Sequence, residues 1–110
     1  MVSVVESFLQ GLHRPLILWL LCQNPLHGYG LIKEISRLTG RKLKPSLVYE
    51  FLHGLEENDL VESIWIRHGG RGRRYYLLTK KGEDLLKKIH NLFRERLSEV
   101  LNDLLSEEPL

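Results

Sequence analysis

The chain has 110 residues, 43% of them hydrophobic and 27% charged, a profile that fits one globular domain with a modest core and excludes a disordered chain. The formal net charge of +2 does not by itself call for a polyanionic partner. Its distribution is more telling: residues 33–81 hold eleven Lys/Arg against six Asp/Glu, and residues 82–110 hold four against seven, which predicts a basic surface and a separate acidic tail.

Val4, Val5, Phe8, Leu9 and Leu12 recur at helical spacing, so residues 3–12 read as a short amphipathic helix with Gly11 near its end. Pro15 suits the first turn of a second helix, where its missing N–H costs nothing. That helix is the apolar run Leu16–Cys22, stopped by Asn24-Pro25. His27-Gly28-Tyr29-Gly30 opens the next, with Leu31, Ile32, Ile35 and Leu38 as its buried stripe and Thr39-Gly40 as its end. After the basic connector Arg41-Lys42-Leu43-Lys44, Pro45-Ser46 starts a fourth helix. Leu47, Val48, Phe51, Leu52 and Leu55 form its core face, and Asn58-Asp59 makes a left-handed stop.

Residues 60–66 and 73–79 are rich in β-formers and flank a hairpin tip, His68-Gly69-Gly70-Arg71-Gly72. Thr79 then caps a last helix predicted to run from about Lys80 to Leu105. Its stripe of Leu85, Ile89, Leu92, Phe93, Leu97, Val100, Leu101 and Leu104 spans about six turns. This order predicts a mainly α (α+β) fold: a winged helix-turn-helix with a two-stranded β-wing and a long C-terminal dimerisation helix. Residues 1–79 form the expected DNA-binding unit, and residues 80–110 the dimerisation helix and tail.

The single cysteine, Cys22, has no partner for an internal disulfide. The N-terminal residues lack a signal-peptide pattern, and Leu16–Cys22 is far shorter than the about 20 residues a membrane span needs. A cytoplasmic protein without a membrane segment is the expectation.

On the fourth helix Ser46, Tyr49, Glu50 and His53 lie on the face away from the core stripe, where a recognition helix reaches base edges or phosphates. The competing reading makes Ser46 a cap and Tyr49 a packed residue. The segment Arg67–Arg74 carries four arginines in eight residues, suited to phosphates or a narrow minor groove, or else to solubility alone. Tyr29, Lys42, Lys44, Ser46, Tyr49, His53, Arg71, Arg73 and Arg74 are therefore the candidate DNA contacts, with Arg41, Lys80 and Lys81 as weaker ones. His27-Gly28-Tyr29-Gly30 matches neither a P-loop nor a dinucleotide fingerprint.

None of the five histidines, His13, His27, His53, His68 and His90, forms an H-x-x-x-H pair or lies beside Cys22. No nucleophile–base set or carboxylate pair stands out, so no enzyme, metal or cofactor is expected. Trp19 and Phe93, if they meet near a dimer seam, would line an apolar pocket for a flat ligand, though such aromatics also serve as plain core.

Arg14-Pro15-Leu16-Ile17-Leu18, His27-Gly28-Tyr29, Tyr49 and Leu55-Glu56 resemble the PadR family of transcriptional regulators. So, more strongly, do Leu60-Val61-Glu62-Ser63, Trp65, Gly70-Arg71, Arg73, Tyr75-Tyr76-x-Leu78-Thr79 and Gly82. The resemblance covers about residues 11–88. It implies a winged-helix domain with one dimerisation helix, as in the small subfamily, and a dimer, often a repressor, that in some members is released by small aromatic or drug-like compounds. The chain departs from the pattern in two places: Pro45-Ser46-Leu47-Val48-Tyr49-Glu50 stands for the usual Pro-Gly-Ser/Thr-Leu-Tyr-Pro, where Leu47 replaces a small polar residue and Glu50 adds a negative charge, and Asp59 stands for a glycine. The expected function is a homodimeric, sequence-specific regulator on a near-palindromic DNA operator, with a small-molecule effector. The rival is a winged-helix module for protein–protein contact without DNA readout.

Overall fold

The structure is a computed structural model that describes residues 3–106, with the backbone alone for residue 68. The ends of the two units expected from the sequence, residues 1–2 and 107–110, lie outside the described residues. Helix α1 spans Val4–Gln23, strand β1 Leu26–His27, α2 Gly28–Thr39, α3 Pro45–Glu57, β2 Val61–His68, β3 Arg71–Leu78, α4 Lys80–Glu95 and α5 Ser98–Leu105. This is the mainly helical winged-helix arrangement with a β-wing.

The first two expected helices are one. Ser3 caps α1 through a hydrogen bond from the Glu6 N–H to its Oγ, 3.1 Å, the serine–glutamate pattern of a capping box. Pro15 lies inside the helix and removes one backbone bond. The helix continues because His13, Ile17, Leu18, Leu20 and Leu21 are buried on both sides of the proline, and keeping that face continuous outweighs one lost bond.

The core is built where α1, α2, α3 and the sheet meet. Ile17, Leu18, Leu31, Ile35, Val48, Leu52 and Val61 are fully enclosed there. Leu38, expected in the buried stripe of α2, is exposed. The helix ends follow local chemistry. Gly40 closes α2 in the left-handed conformation at φ 70°, which costs glycine no Cβ clash. Asp59 turns the chain after α3 at φ 59°.

The wing has three strands, ordered β1-β3-β2 and antiparallel throughout. The third is β1, whose two residues pair with Tyr75 and Tyr76. The hairpin is tighter than its composition suggests. His68 pairs with Arg71, and the turn is Gly69-Gly70 alone, at φ 57° and 87°, the two positive values a type I′ turn demands.

Thr79 joins wing to α4. Its hydroxyl accepts from the Gly82 N–H at 3.0 Å and donates to the Asp59 carbonyl at 2.6 Å. Gly82 in turn lies so close to the Leu60 carbonyl that a Cβ would overlap it.

The last helix is not continuous. It breaks between Glu95 and Ser98 without glycine or proline. The Arg96 and Leu97 N–H groups both bond the Leu92 carbonyl, at 3.0 and 3.1 Å, and the second is an i→i−5 bond of the kind that kinks helices. The expected apolar stripe is also divided. Leu85 and Ile89 pack against the protomer's own core, whereas Leu92, Leu97, Val100 and Leu104 are exposed. Val4, Val5 and Phe8 of α1 are exposed as well.

Candidate nucleic-acid interface

Three elements converge on one side of the molecule: the start of α2, the start of α3 and the wing. His27 caps α2, accepting the Gly30 N–H on Nδ1 at 3.0 Å. Its Nε2 lies 3.2 Å from a guanidinium nitrogen of Arg73 on the wing. Two donors thus face a ring that has one acceptor nitrogen when neutral and none when protonated. Burial first, and the Arg73 charge second, hold the imidazole below its ordinary pKa. The ring stacks near Tyr29, with centroids 6.3 Å apart and planes 8° apart, and meets Tyr75 edge-on at 5.3 Å. Tyr29 is 62% exposed, and the Lys33 ammonium lies 5.7 Å from its ring centroid.

Helix α3 starts with Lys44 as N-cap and Pro45 in its first turn, and no side chain caps it. Ser46 therefore does not serve as the cap and stands exposed, as do Lys42 and Lys44. Tyr49 is both packed and available. Its ring fills the space where a side chain at position 28 would begin, which Gly28 leaves open, yet it remains 46% exposed. His53 is exposed and paired with Glu57 at 3.0 Å.

The wing arginines differ in kind. Arg71, beside the turn, and Arg73 are exposed. Arg74 is tied to α3: its Nε donates to Ser63 Oγ at 2.8 Å, and one Nη donates to both Glu56 oxygens at 2.8 and 3.0 Å. The Ser63 hydroxyl also donates to Glu56 at 2.7 Å. The weaker candidates are likewise engaged. Arg41 lies 3.8 Å from Glu6, Lys80 pairs with Asp84 at 3.0 Å, and Lys81 donates to the Asn58 carbonyl at 3.0 Å.

Tyr29, Tyr49, Arg73 and Arg74 line one cleft of about 530 Å³ between α3 and the wing. Lys42, Lys44 and Ser46 line another, between α1, the α2–α3 connector and the α3 start. His27, Gly28, Trp65, Gly72 and Tyr76 also line the first cleft and were missed as site candidates. Trp65 is placed by tertiary contacts that no local sequence pattern announces. It shares a face with Ser63, and Ser63 is bound to α3, so that face looks toward the helix.

Elsewhere, α1 and α4 line an apolar groove of about 570 Å³. Trp19 and Phe93 both line it, with Leu12, Leu16, Leu86 and Ile89. Cys22 and His90 also line it. Among the described residues no cluster of His, Cys, Asp or Glu is placed to hold a metal ion. No helix among them is long and apolar enough to cross a membrane.

A helix pair with an exposed second helix, followed by an arginine-bearing β-hairpin, defines a winged helix-turn-helix protein. Residues 17–88 match the model of the transcriptional regulator PadR-like family, and the chain belongs to that family. It is 36% identical over 78 residues to the transcriptional regulator Rv3488 of Mycobacterium tuberculosis, across 71% of this chain and 72% of that one. It is 35% identical over 80 residues to an uncharacterised 37.1 kDa protein in transposon TN4556 of Streptomyces fradiae, across 72% of this chain but 22% of that protein. Among solved structures, a PadR-like transcriptional regulator from Bacillus cereus superposes with a TM-score of 0.80 at 24% identity, covering 93% of this chain and 99% of that one. A PadR family transcription regulator from Clostridium difficile gives 0.75 at 28% identity, covering 87% and 100%. The family and both structures are of transcriptional regulators rather than enzymes.

Proposed function

We propose that this protein is a cytoplasmic, sequence-specific DNA-binding regulator and not an enzyme, acting as a homodimeric repressor on a near-palindromic operator. The observation that carries the reading is the cleft that Tyr29, Tyr49, Arg73 and Arg74 share between α3 and the wing of a winged-helix protein of the PadR-like family. Residues 1–79 read the DNA and residues 80–110 join the protomers. Ser46 and Tyr49 enter the major groove, His53 follows one turn along, and Lys42 and Lys44 meet phosphates. Arg71 and Arg73 grip the neighbouring backbone, and Arg74 adds the one nitrogen that Glu56 and Ser63 leave unbonded. Leu92, Phe93, Leu97, Val100, Leu101 and Leu104 form the seam, with Leu85 and Ile89 turned to the protomer's own core. A small apolar or aromatic effector occupies the groove of Trp19 and Phe93 and releases the DNA.

The test is an electrophoretic shift on the DNA upstream of the protein's own gene and on a random duplex, each at two salt concentrations. Binding weakens steeply with salt. An Arg71→Ala, Arg73→Ala variant loses affinity for both DNAs by similar factors, with a salt slope shallower by about one unit per lost phosphate contact. Binding that does not respond to salt, or no binding to either duplex, supports a protein–protein module instead.

A further inference from the structure

Trp65 is the large aromatic residue that the fold leaves most plainly without a use. It is 72% exposed, on a strand whose same-face neighbours are committed: Ser63 to Glu56, and Arg74 across the ladder to the same carboxylate. The indole is nevertheless seated. Gly72 is diagonally opposite on β3, and a Cβ there would lie 3.1 Å from the indole Cε3 and 3.8 Å from Arg67 Cγ. Glycine therefore makes the room in which the indole rests against the hairpin, next to the cleft that it lines with Tyr29, Tyr49 and Arg73.

The lining of that cleft has a chemical rhythm. Aromatic surfaces come from Trp65, Tyr49 and Tyr29, the uncompensated cationic group comes from Arg73 beside the Glu56-paired guanidinium of Arg74, and none of the lining residues carries a carboxylate. A sugar–phosphate strand presents the matching alternation, apolar deoxyribose edges between anionic phosphates.

We propose that the cleft between α3 and the wing is a trough for one sugar–phosphate strand of duplex DNA, and that Trp65, seated on Gly72, packs against the deoxyribose of that strand. The inference rests on the DNA-binding reading and adds a contact that is uncharged and indifferent to sequence. Trp65 contributes affinity without releasing counterions, unlike the arginines around it.

The chain has two tryptophans, and the other, Trp19, lines the separate α1–α4 groove. A Trp19→Phe protein thus reports on Trp65 alone. Titration with a random 24-base-pair duplex at low salt is expected to quench and shift its emission. In the otherwise natural protein, Trp65→Ala is expected to weaken binding to random and upstream DNA equally, by about tenfold, the scale of one desolvated aromatic contact. The salt slope stays unchanged, and Trp65→Phe recovers part of the loss. Circular dichroism confirms that each variant is folded. Salt-dependent DNA binding with silent Trp65 emission and no effect of Trp65→Ala overturns this inference alone. Failure to bind any duplex overturns the DNA-binding reading as well. Quenching by poly-glutamate but not by duplex assigns the cleft to an acidic peptide and overturns the trough.

Discussion

The guanidinium of Arg74, on the wing, and the carboxylate of Glu56, on α3, are joined by hydrogen bonds of 2.8 and 3.0 Å across eighteen residues of sequence. The pair links the two elements that frame the proposed DNA cleft, and Arg74 also lies over the Tyr76 ring, 5.4 Å from its centroid.

Glu56→Gln should therefore affect geometry more than stability. The pair is partly exposed, at 44% and 29% of the two side chains, so after solvent screening its contribution is about 1 kcal/mol or less. The expected outcome is a small fall in melting temperature with faster amide exchange along β2 and β3, and weaker binding to both operator and random DNA. Unchanged exchange in the wing would show that Arg74 does not hold it.

Gly28→Ala should be destabilising, because the new methyl would overlap the Tyr49 ring. Overpacking of this kind costs about 1–3 kcal/mol. Adding Tyr49→Ala to Gly28→Ala should restore most of the melting temperature while leaving operator affinity low. A double variant as unstable as the sum of the two singles would show that the ring and the glycine do not meet in solution.

Stability should fall on acidification. His13 is held below the ordinary histidine pKa of 6.5 by burial, and its Nδ1 has no hydrogen-bond partner. His27 is lowered by burial and by Arg73. Both are lowered in the fold, so the unfolded chain takes up protons first. Stability is fully present above about pH 6.5 and is lost as pH falls through the lowered folded values. Thermal melts from pH 7.5 to 5.0 should show this decline, and His27→Asn, which keeps a capping residue at the head of α2, should make it shallower. An identical slope in that variant would assign the effect to His13.

Leu92→Asp with Leu97→Asp should break the dimer. Both residues are exposed in the protomer, Leu92 at 50%, as are Val4, Val5 and Phe8 of α1, and large apolar side chains left uncovered in such number mark an interface. The natural chain is expected to sediment as twice its 12.9 kDa mass and the double variant as a monomer that no longer binds the operator. A 12.9 kDa species of the natural chain at micromolar concentration would defeat the dimer.

Much of the fold was legible because its signals are local. Glycine at the end of α2, proline in the first turn of α3, threonine before α4 and two glycines in the wing act on backbone within a turn of themselves. Their chemistry is the same wherever the chain later packs. Features that depend on partners distant in sequence were not legible in the same way. Whether Pro15 begins a helix or is carried inside one depends on which neighbours bury both sides of it. A two-residue strand such as β1 has no periodicity of its own and exists because β3 offers an edge. The kink after Glu95 follows from the doubly used Leu92 carbonyl, which no glycine or proline announces. The arginine cluster was visible as composition, but tertiary structure alone separated Arg74, neutralised by Glu56, from Arg71 and Arg73. It also brought Trp19 and Phe93 into one groove and Trp65 into another. A side chain's charge and size are written in the sequence, whereas what it touches is set by the packing of the whole core, in which each contact must be bought against chain entropy.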